Sequence, residues 1–487
     1  MNLKLAYCFL SLGLILLGCR PDPQIINVSE SGYPKDVAEI VLTKCAVSGC
    51  HNDISKDAAG GLSLGTWNKM FEGSRTGAVT IPFNHKQSSL FLFVNTFNDL
   101  GVGMEPTMPV NKDPLSKEEV IILRDWIESG APNSVGKVKF ADDPIRKKVY
   151  IVNQGCDLVS VIDKETNLIM RYVKVGNKAQ IEAPHMIKVS PDGKYWYVVF
   201  TAGDVIQRFK TTDDTFAGEI FIDVGSWNTF AITSDSKRAY VIDWAFEGKV
   251  AVVDLEKMEL IRYYTGPSEF KTPHGSTLSK DDKTLYITAQ NGNFIIKVDI
   301  PNVNFPEVTH VSLVPGQAPN SSSSLDPHEI EMSPDGTKYY VLCQKSNEIR
   351  VMDVATDQLL AVIPTGVFPQ ELSFSKTTDY AFVTCTEDVQ TFPGERGSVT
   401  VINYKTNTFV KHIYTGHQPH GIGVDDSKNL VYVAHRNQNI SGPAPHHTTD
   451  CGGRNGYMTI IDLNKVELLS PKRYELSVDP YFIDIRQ

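Results

Sequence analysis

The chain has no basic block: 47 Lys and Arg are outnumbered by 57 Asp and Glu, for a formal net charge of −10. A mildly acidic chain without a basic stripe lacks the electrostatic footprint of a phosphate-backbone binder, which sets nucleic acid aside. No phosphate-binding Gly-Lys-Ser loop, no nucleophile elbow and no His-Glu-x-x-His zinc helix is read in it. Beyond its first residues it also lacks apolar runs of the ~20 residues that a membrane helix needs. With 41% hydrophobic and 21% charged residues it is neither a polytopic membrane protein nor a largely disordered chain. At 487 residues it is long enough for two or three domains.

What is present begins with a compartment signal. Lys4 precedes an apolar run over residues 5–17, which ends in Leu16-Leu17-Gly18-Cys19. A charged start, a short hydrophobic stretch and a small residue before the cut describe a secretory signal. Leu-Leu-Gly-Cys resembles the bacterial lipobox. That resemblance implies removal of residues 1–18, a lipid on Cys19, and a tether over residues 19–31. An ordinary signal peptide with an incidental cysteine is the alternative. The expected location is the bacterial cell envelope, with the membrane engaged through the lipid anchor alone.

Eight cysteines are sorted by this reading. Cys8 leaves with the signal and Cys19 carries lipid. Cys45 and Cys50 are five positions apart, with His51 immediately after. Two thiols and an adjacent imidazole are the donor set for a covalently attached haem, although the usual spacing is two residues tighter. The rival is a local disulfide beside a chance histidine. The flanks favour haem. Pro34 opens a helical stretch with Val37, Ile40 and Val41 on one face, running into Cys45. Ser116-Lys117-Glu118-Glu119 is a capping box for a closing helix striped by Val120, Leu123 and Ile127 and stopped at Gly130. Between them Glu105-Pro106-Thr107-Met108-Pro109 presents a thioether on a Pro-restrained loop.

Residues 32–135 resemble the small bacterial cytochrome c domains of the Cys-x4-Cys-His type, in which Gly-Gly-Leu, here Gly60-Gly61-Leu62, precedes a Met-Pro loop. The resemblance implies a small all-α cytochrome c domain. It places covalent haem c on Cys45 and Cys50, with His51 and Met108 as axial iron ligands and Met104 competing for the second position.

Residues 140–487 are periodic. A strand with an aromatic start recurs seven times, as in Tyr150-Ile151-Val152-Asn153, Tyr240-Val241-Ile242-Asp243 and Tyr432-Val433-Ala434-His435, at roughly 50 residues per unit. Most copies follow a Ser-Pro-Asp-Gly-like turn and precede a second alternating strand. Four short strands per unit with turns between them make an all-β seven-bladed β-propeller. Residues 479–485 supply the inner strand that the first blade lacks, so the ring closes without open edges. The repeats resemble the Tyr-Val-Thr-Asn family of propellers.

Aligning the seven inner-strand starts gives His185, Asn228, His274, His328, Gln370, His420 and Tyr481. Four imidazoles therefore converge at one mouth of the channel. His435, Cys343 and Cys385 end the neighbouring strands, and the long loop over residues 436–457 adds His446, His447 and Cys451. Such a ring either solvates a water-filled channel or, because imidazole suits copper and iron, holds a second centre, copper or haem, on His185, His274, His328, His420 and His435. Nitrous oxide reductase and the haem d1 nitrite reductases are distantly similar, but neither match transfers a catalytic residue. Closure makes the first and last blades neighbours, so a Cys156–Cys451 disulfide is expected. The functional expectation is a lipid-anchored c-type cytochrome exchanging electrons with a redox partner protein or small-molecule substrate at the His-lined face. The alternative is a binding scaffold in which the propeller docks a protein or polymer partner.

Overall fold

The structure, a computed structural model, describes residues 28–141, 143–304, 306–436, 451 and 456–486. The signal, Cys19, His446 and His447 lie outside the described residues.

From Lys148 onward the chain forms seven antiparallel sheets. In the first, Pro480–Ile485 pairs with Lys148–Asn153, with Val149 opposite Ile485 and Ile151 opposite Ile483. The last strand of the chain is thus the innermost strand of the first blade, and the ring is sealed by hydrogen bonds between its two ends. The seventh blade differs at its rim, where the outer strand is split into Glu467–Leu468 and Tyr474–Glu475.

Alternation explains the strands. Second strands such as Lys148–Asn153 and Tyr195–Phe200 are buried on both faces because each blade packs between two others. Outer strands such as Glu259–Tyr264 and Thr408–Ile413 carry exposed polar residues. The Ser-Pro-Asp-Gly turn is locked by its own side chains: Ser190 Oγ donates to Asp192 Oδ1 (2.7 Å) and accepts from the Tyr195 amide (3.1 Å). Thr233–Asp235 and Ser333–Asp335 repeat the hydroxyl–carboxylate bond.

The repeated tyrosines join blades. Tyr150 Oη donates to Asp214 Oδ1 (3.1 Å), Tyr340 Oη to Asn407 Oδ1 (2.8 Å) and Tyr432 Oη to Asn167 Oδ1 (2.8 Å). Each acceptor sits in the turn before the outer strand of the next blade, at φ 62°, 56° and 59° respectively. Asp and Asn tolerate this left-handed backbone better than other non-glycine residues, so one residue type supplies both the turn and the acceptor.

Before the propeller lie four short α-helices, Lys35–Ile40, Trp67–Met70, Ser89–Val94 and Lys117–Glu128. The capping box is formed in full: Ser116 Oγ accepts from the Glu119 amide (3.3 Å) and Glu119 accepts from the Ser116 amide (2.8 Å). The core of this segment runs without a break into the first two blades, through Phe71, Phe140 and Met170. The amide of Glu475 donates to the Thr76 carbonyl (2.8 Å), tying the helical segment to the split rim of the last blade. Among the described residues no helix is long and apolar enough to cross a membrane.

Candidate functional site

Two groups of chemically active side chains stand out. The first is the turn from Cys45 to His51. Lys35–Ile40 continues into a wider last turn, Val41–Cys45, where the Ala46 amide reaches back five residues to the Val41 carbonyl (2.8 Å). Such π-turns are rare and occur frequently at functional sites. The turn closes when the His51 amide donates to the Cys45 carbonyl (3.1 Å). Cys45 and Cys50 are free thiols, so the local disulfide is not formed. Burial, reinforced by neighbouring Cys50, pushes the Cys45 thiol up to about 12.

His51 Nδ1 is buried and has no hydrogen-bond partner. Burial holds the imidazole below its ordinary range, against the opposing pull of the Leu62 and Ala59 carbonyls. A neutral imidazole with an unpaired buried nitrogen is in the form that ligates a metal. The Met loop is strapped to Ser89–Val94: the Met104 amide donates to the Leu92 carbonyl (2.7 Å) and the Met108 amide to the Phe93 carbonyl (2.8 Å). Both methionines pack, partly buried, on the core that contains Cys45.

Gly61-Leu62-Ser63-Leu64-Gly65 spells the five-residue nucleophile-elbow pattern, which the sequence reading passed over. It follows no strand, and Ser63 Oγ donates to Asp53 Oδ1 (2.8 Å), so the strand–turn–helix context of an elbow is missing.

The second group is the channel ring. Every inner strand shifts register just after its start, between Pro184 and Met186, Trp227 and Thr229, Pro273 and Ser276, and likewise in the other blades. A bulge re-aims the residues inside it; the ring member is the first of them in every blade, alone in two blades and followed by a second residue, such as Glu329 or Glu371, in the other five. Ring centroids lie 4.3 Å apart for His185 and Tyr481, 3.7 Å for Tyr481 and His420, 6.5 Å for His420 and His328, 4.0 Å for His328 and His274, and 5.9 Å for His274 and His185. Asn228 and Gln370 occupy the remaining inner-strand positions, also buried. Burial lowers all four imidazoles, His328 to about 3, where His185 and Arg436 add to the effect.

His435 is engaged elsewhere. It stacks on Tyr457 at 4.5 Å, and both its nitrogens are occupied, by the His417 carbonyl (3.3 Å) and Thr459 Oγ1 (2.8 Å). One strand further from the axis than the ring, it is a satisfied core histidine. Cys343 and Cys385 are fully buried thiols facing the Val341 and Val383 carbonyls. Cys156 and Cys451 are joined as a disulfide, with Cα atoms 5.3 Å apart.

Sequence reasoning missed the acids beneath the ring. Glu329 and Glu371 directly follow ring members His328 and Gln370 and are buried. Burial raises both carboxyls, Glu329 to about 8, with Glu331 adding to each. Lys188 is the cation among them: burial lowers it, but Glu331 and Asp484 outweigh that and hold it above its ordinary range. The available signal was the presence of carboxylates in inner strands where other blades place Gly, Met, Thr or Phe. Gly275 in the adjacent blade makes room, since a Cβ there would stand 2.6 Å from Glu329 Cα.

The fold defines the class: a seven-bladed β-propeller preceded by a small helical segment. The family profile described as "Lactonase, 7-bladed beta-propeller" matches residues 215–441, somewhat under half of the chain. No curated protein matches the chain. Among solved structures it is similar to a functionally unknown protein from Desulfotomaculum acetoxidans, at 13% identity over 69% of this chain and 98% of that one, with a TM-score of 0.53. The hydrazine synthase of Kuenenia stuttgartiensis matches at 20% identity over 60% of this chain and 80% of its own, with a TM-score of 0.47. Dihydro-heme d1 dehydrogenase NirN in complex with DHE matches at 13% identity over 71% of this chain and 76% of its own, with a TM-score of 0.48. At these identities the likeness is one of fold alone.

Proposed function

We propose that the chain is an envelope-anchored c-type cytochrome with its haem bonded to Cys45 and Cys50. On this reading the propeller presents the His-lined face to a redox partner protein or small-molecule substrate. The observation that carries it is the turn from Cys45 to His51, where two free thiols precede a half-buried, neutral imidazole whose Nδ1 is buried and unpaired. A haem held there would supply one-electron chemistry.

The chain's own residues do the rest. The π-turn and the His51–Cys45 backbone bond fix the spacing of the two thiols and the imidazole. Tyr33, Leu123 and Trp126 are buried in the same core as Cys45 and would keep water from a haem bonded there, which would raise its potential. Met108 is the residue proposed to supply the second ligand to the iron, supported by its place on a loop strapped to the same core. Cys19 is the proposed lipid attachment point.

Expression with a haem-attachment system and a pyridine haemochrome spectrum tests this reading. One covalent haem per chain is expected, lost in Cys45→Ser/Cys50→Ser. Haem-free protein from a host that loads a control cytochrome overturns it. Met108→Ala is expected to lower the reduction potential while Met104→Ala leaves it within experimental scatter.

A further inference from the structure

His328, Glu371 and His420 each bring one donor atom to within 4.8 Å of the others, and all three side chains are buried. We propose that these residues form a binding site for a divalent first-row transition-metal ion in the propeller channel. The site is separate from the haem-binding turn and does not rest on the cytochrome reading.

Three independent features point to a cation. Nε2 of His328 and Nε2 of His420 are both buried with no hydrogen-bond partner. A buried polar atom left unpaired loses its hydration without replacement, and these two belong to imidazoles on Pro327–Met332 and Pro419–Asp425, inner strands separated by Pro369–Phe374, with ring centroids 6.5 Å apart.

The Nδ1 side of each ring is anchored in the manner that fixes a ligand tautomer, with Glu371 Oε1 also 4.0 Å from His420 Nδ1. His420 Nδ1–H donates to the Tyr481 carbonyl (3.1 Å), which leaves the lone pair on Nε2. His328 Nδ1 stands 3.3 Å from the Gln290 carboxamide, whose Oε1 is itself unpaired. Rotating that amide by half a turn lets Oε1 accept from Nδ1–H and frees Nε2 in the same way.

The third feature is charge. Glu371, Glu329, Glu331 and Asp484 lie along the channel with Lys188 as their shared cation. Arg436 is already committed to Asp479 through contacts of 2.6 and 2.9 Å. Four carboxyl groups thus share one ammonium beneath the ring, while Arg436 acts on His328 and His420 from beside it.

Two imidazoles and one carboxylate suit zinc or ferrous iron. Thiolate and thioether donors, which select cuprous copper, are not in the set. Three protein donors also leave coordination positions for water or a small substrate, as open catalytic sites do.

The test uses the full chain, stripped with a chelator, titrated calorimetrically with Zn²⁺ and analysed for bound zinc after gel filtration. Zinc avoids confusion with haem iron. One zinc per chain is expected, with at least a hundred-fold weaker binding in Glu371→Gln, His328→Gln and His420→Gln at unchanged covalent haem content. Wild-type chain that binds no zinc overturns the proposal, as does unchanged affinity in Glu371→Gln and His420→Gln. Should a variant fail to fold, the wild type decides: one equivalent of site-bound Zn²⁺ must raise its Tm, and no rise at a hundred-fold excess overturns the site. Haem content reads the cytochrome reading separately in every sample.

Discussion

Asp214 joins the first two blades, and its removal should be costly. Lys148 Nζ sits 2.8 Å from Asp214 Oδ2, with the two side chains 1% and 0% exposed. The same carboxylate accepts from Tyr150 Oη (3.1 Å) and Trp196 Nε1 (3.3 Å). Asp214→Ala strands the Lys148 ammonium in the interior with the Thr211 and Thr212 carbonyls as its remaining close partners. Breaking a buried pair from one side costs about 3–5 kcal/mol, because the remaining charge has lost its compensation. For a propeller of roughly 340 residues the unfolding entropy is about 0.7 kcal/mol/K, so Tm should fall by about 4–7 °C. Lys148→Met in the Asp214→Ala background removes the stranded charge and should recover about half of that loss, a non-additivity that a double-mutant cycle measures. Thermal unfolding of the oxidised full chain at pH 7.5, followed by circular dichroism, is the assay. A fall under about 1 °C for Asp214→Ala, or a double variant that loses the sum of the two single losses, would refute the reasoning.

Acid should destabilise the propeller through its buried imidazoles. His435, pushed down to about 3 mainly by burial, is neutral in the fold and titrates near 6.5 when unfolded, so its contribution is intact above pH 6.5 and lost as pH falls from there towards 3. At pH 4.5 that is about 3 kcal/mol, and between pH 7.5 and 4.5 the wild-type Tm should drop by about 4 °C more than that of His435→Gln; equal drops would reject a neutral buried imidazole. Gly421→Ala should lower Tm by about 1–4 °C, because a Cβ there would stand 2.5 Å from the Tyr481 carbonyl and push the closing strand away. A crystal structure of that variant with Pro480–Ile485 unmoved would show the approach to be looser than described.

The seven aromatic-led strands and the strand that closes the ring were legible because a repeat imposes the same polar and apolar alternation on every blade, and alternation is a local property. The first residues of the inner strands were legible for the same reason, which is how His185, His274, His328 and His420 could be named from spacing. The Cys45–His51 turn and the Ser116 capping box are likewise written within a few consecutive residues. What spacing could not supply was the partner across a gap between blades. Tyr150 announces itself in the tetrad, but its acceptor Asp214 is an ordinary turn residue some sixty positions away until the second blade packs on the first. Glu371 reads as one more charged residue in a strand, and only the bulge that turns Gln370, together with the closure that brings Tyr481 over His420, sets its carboxylate beside two imidazoles. His435 shows the converse: its sequence position matches a channel ligand, yet tertiary packing occupies both its nitrogens. The sequence by itself determined the elements, their number and their order, because hydrogen bonding and burial within a strand or turn depend on near neighbours. The tertiary structure alone decided which donors share a volume and which remain unpaired, because ring closure brings together side chains that no local rule relates.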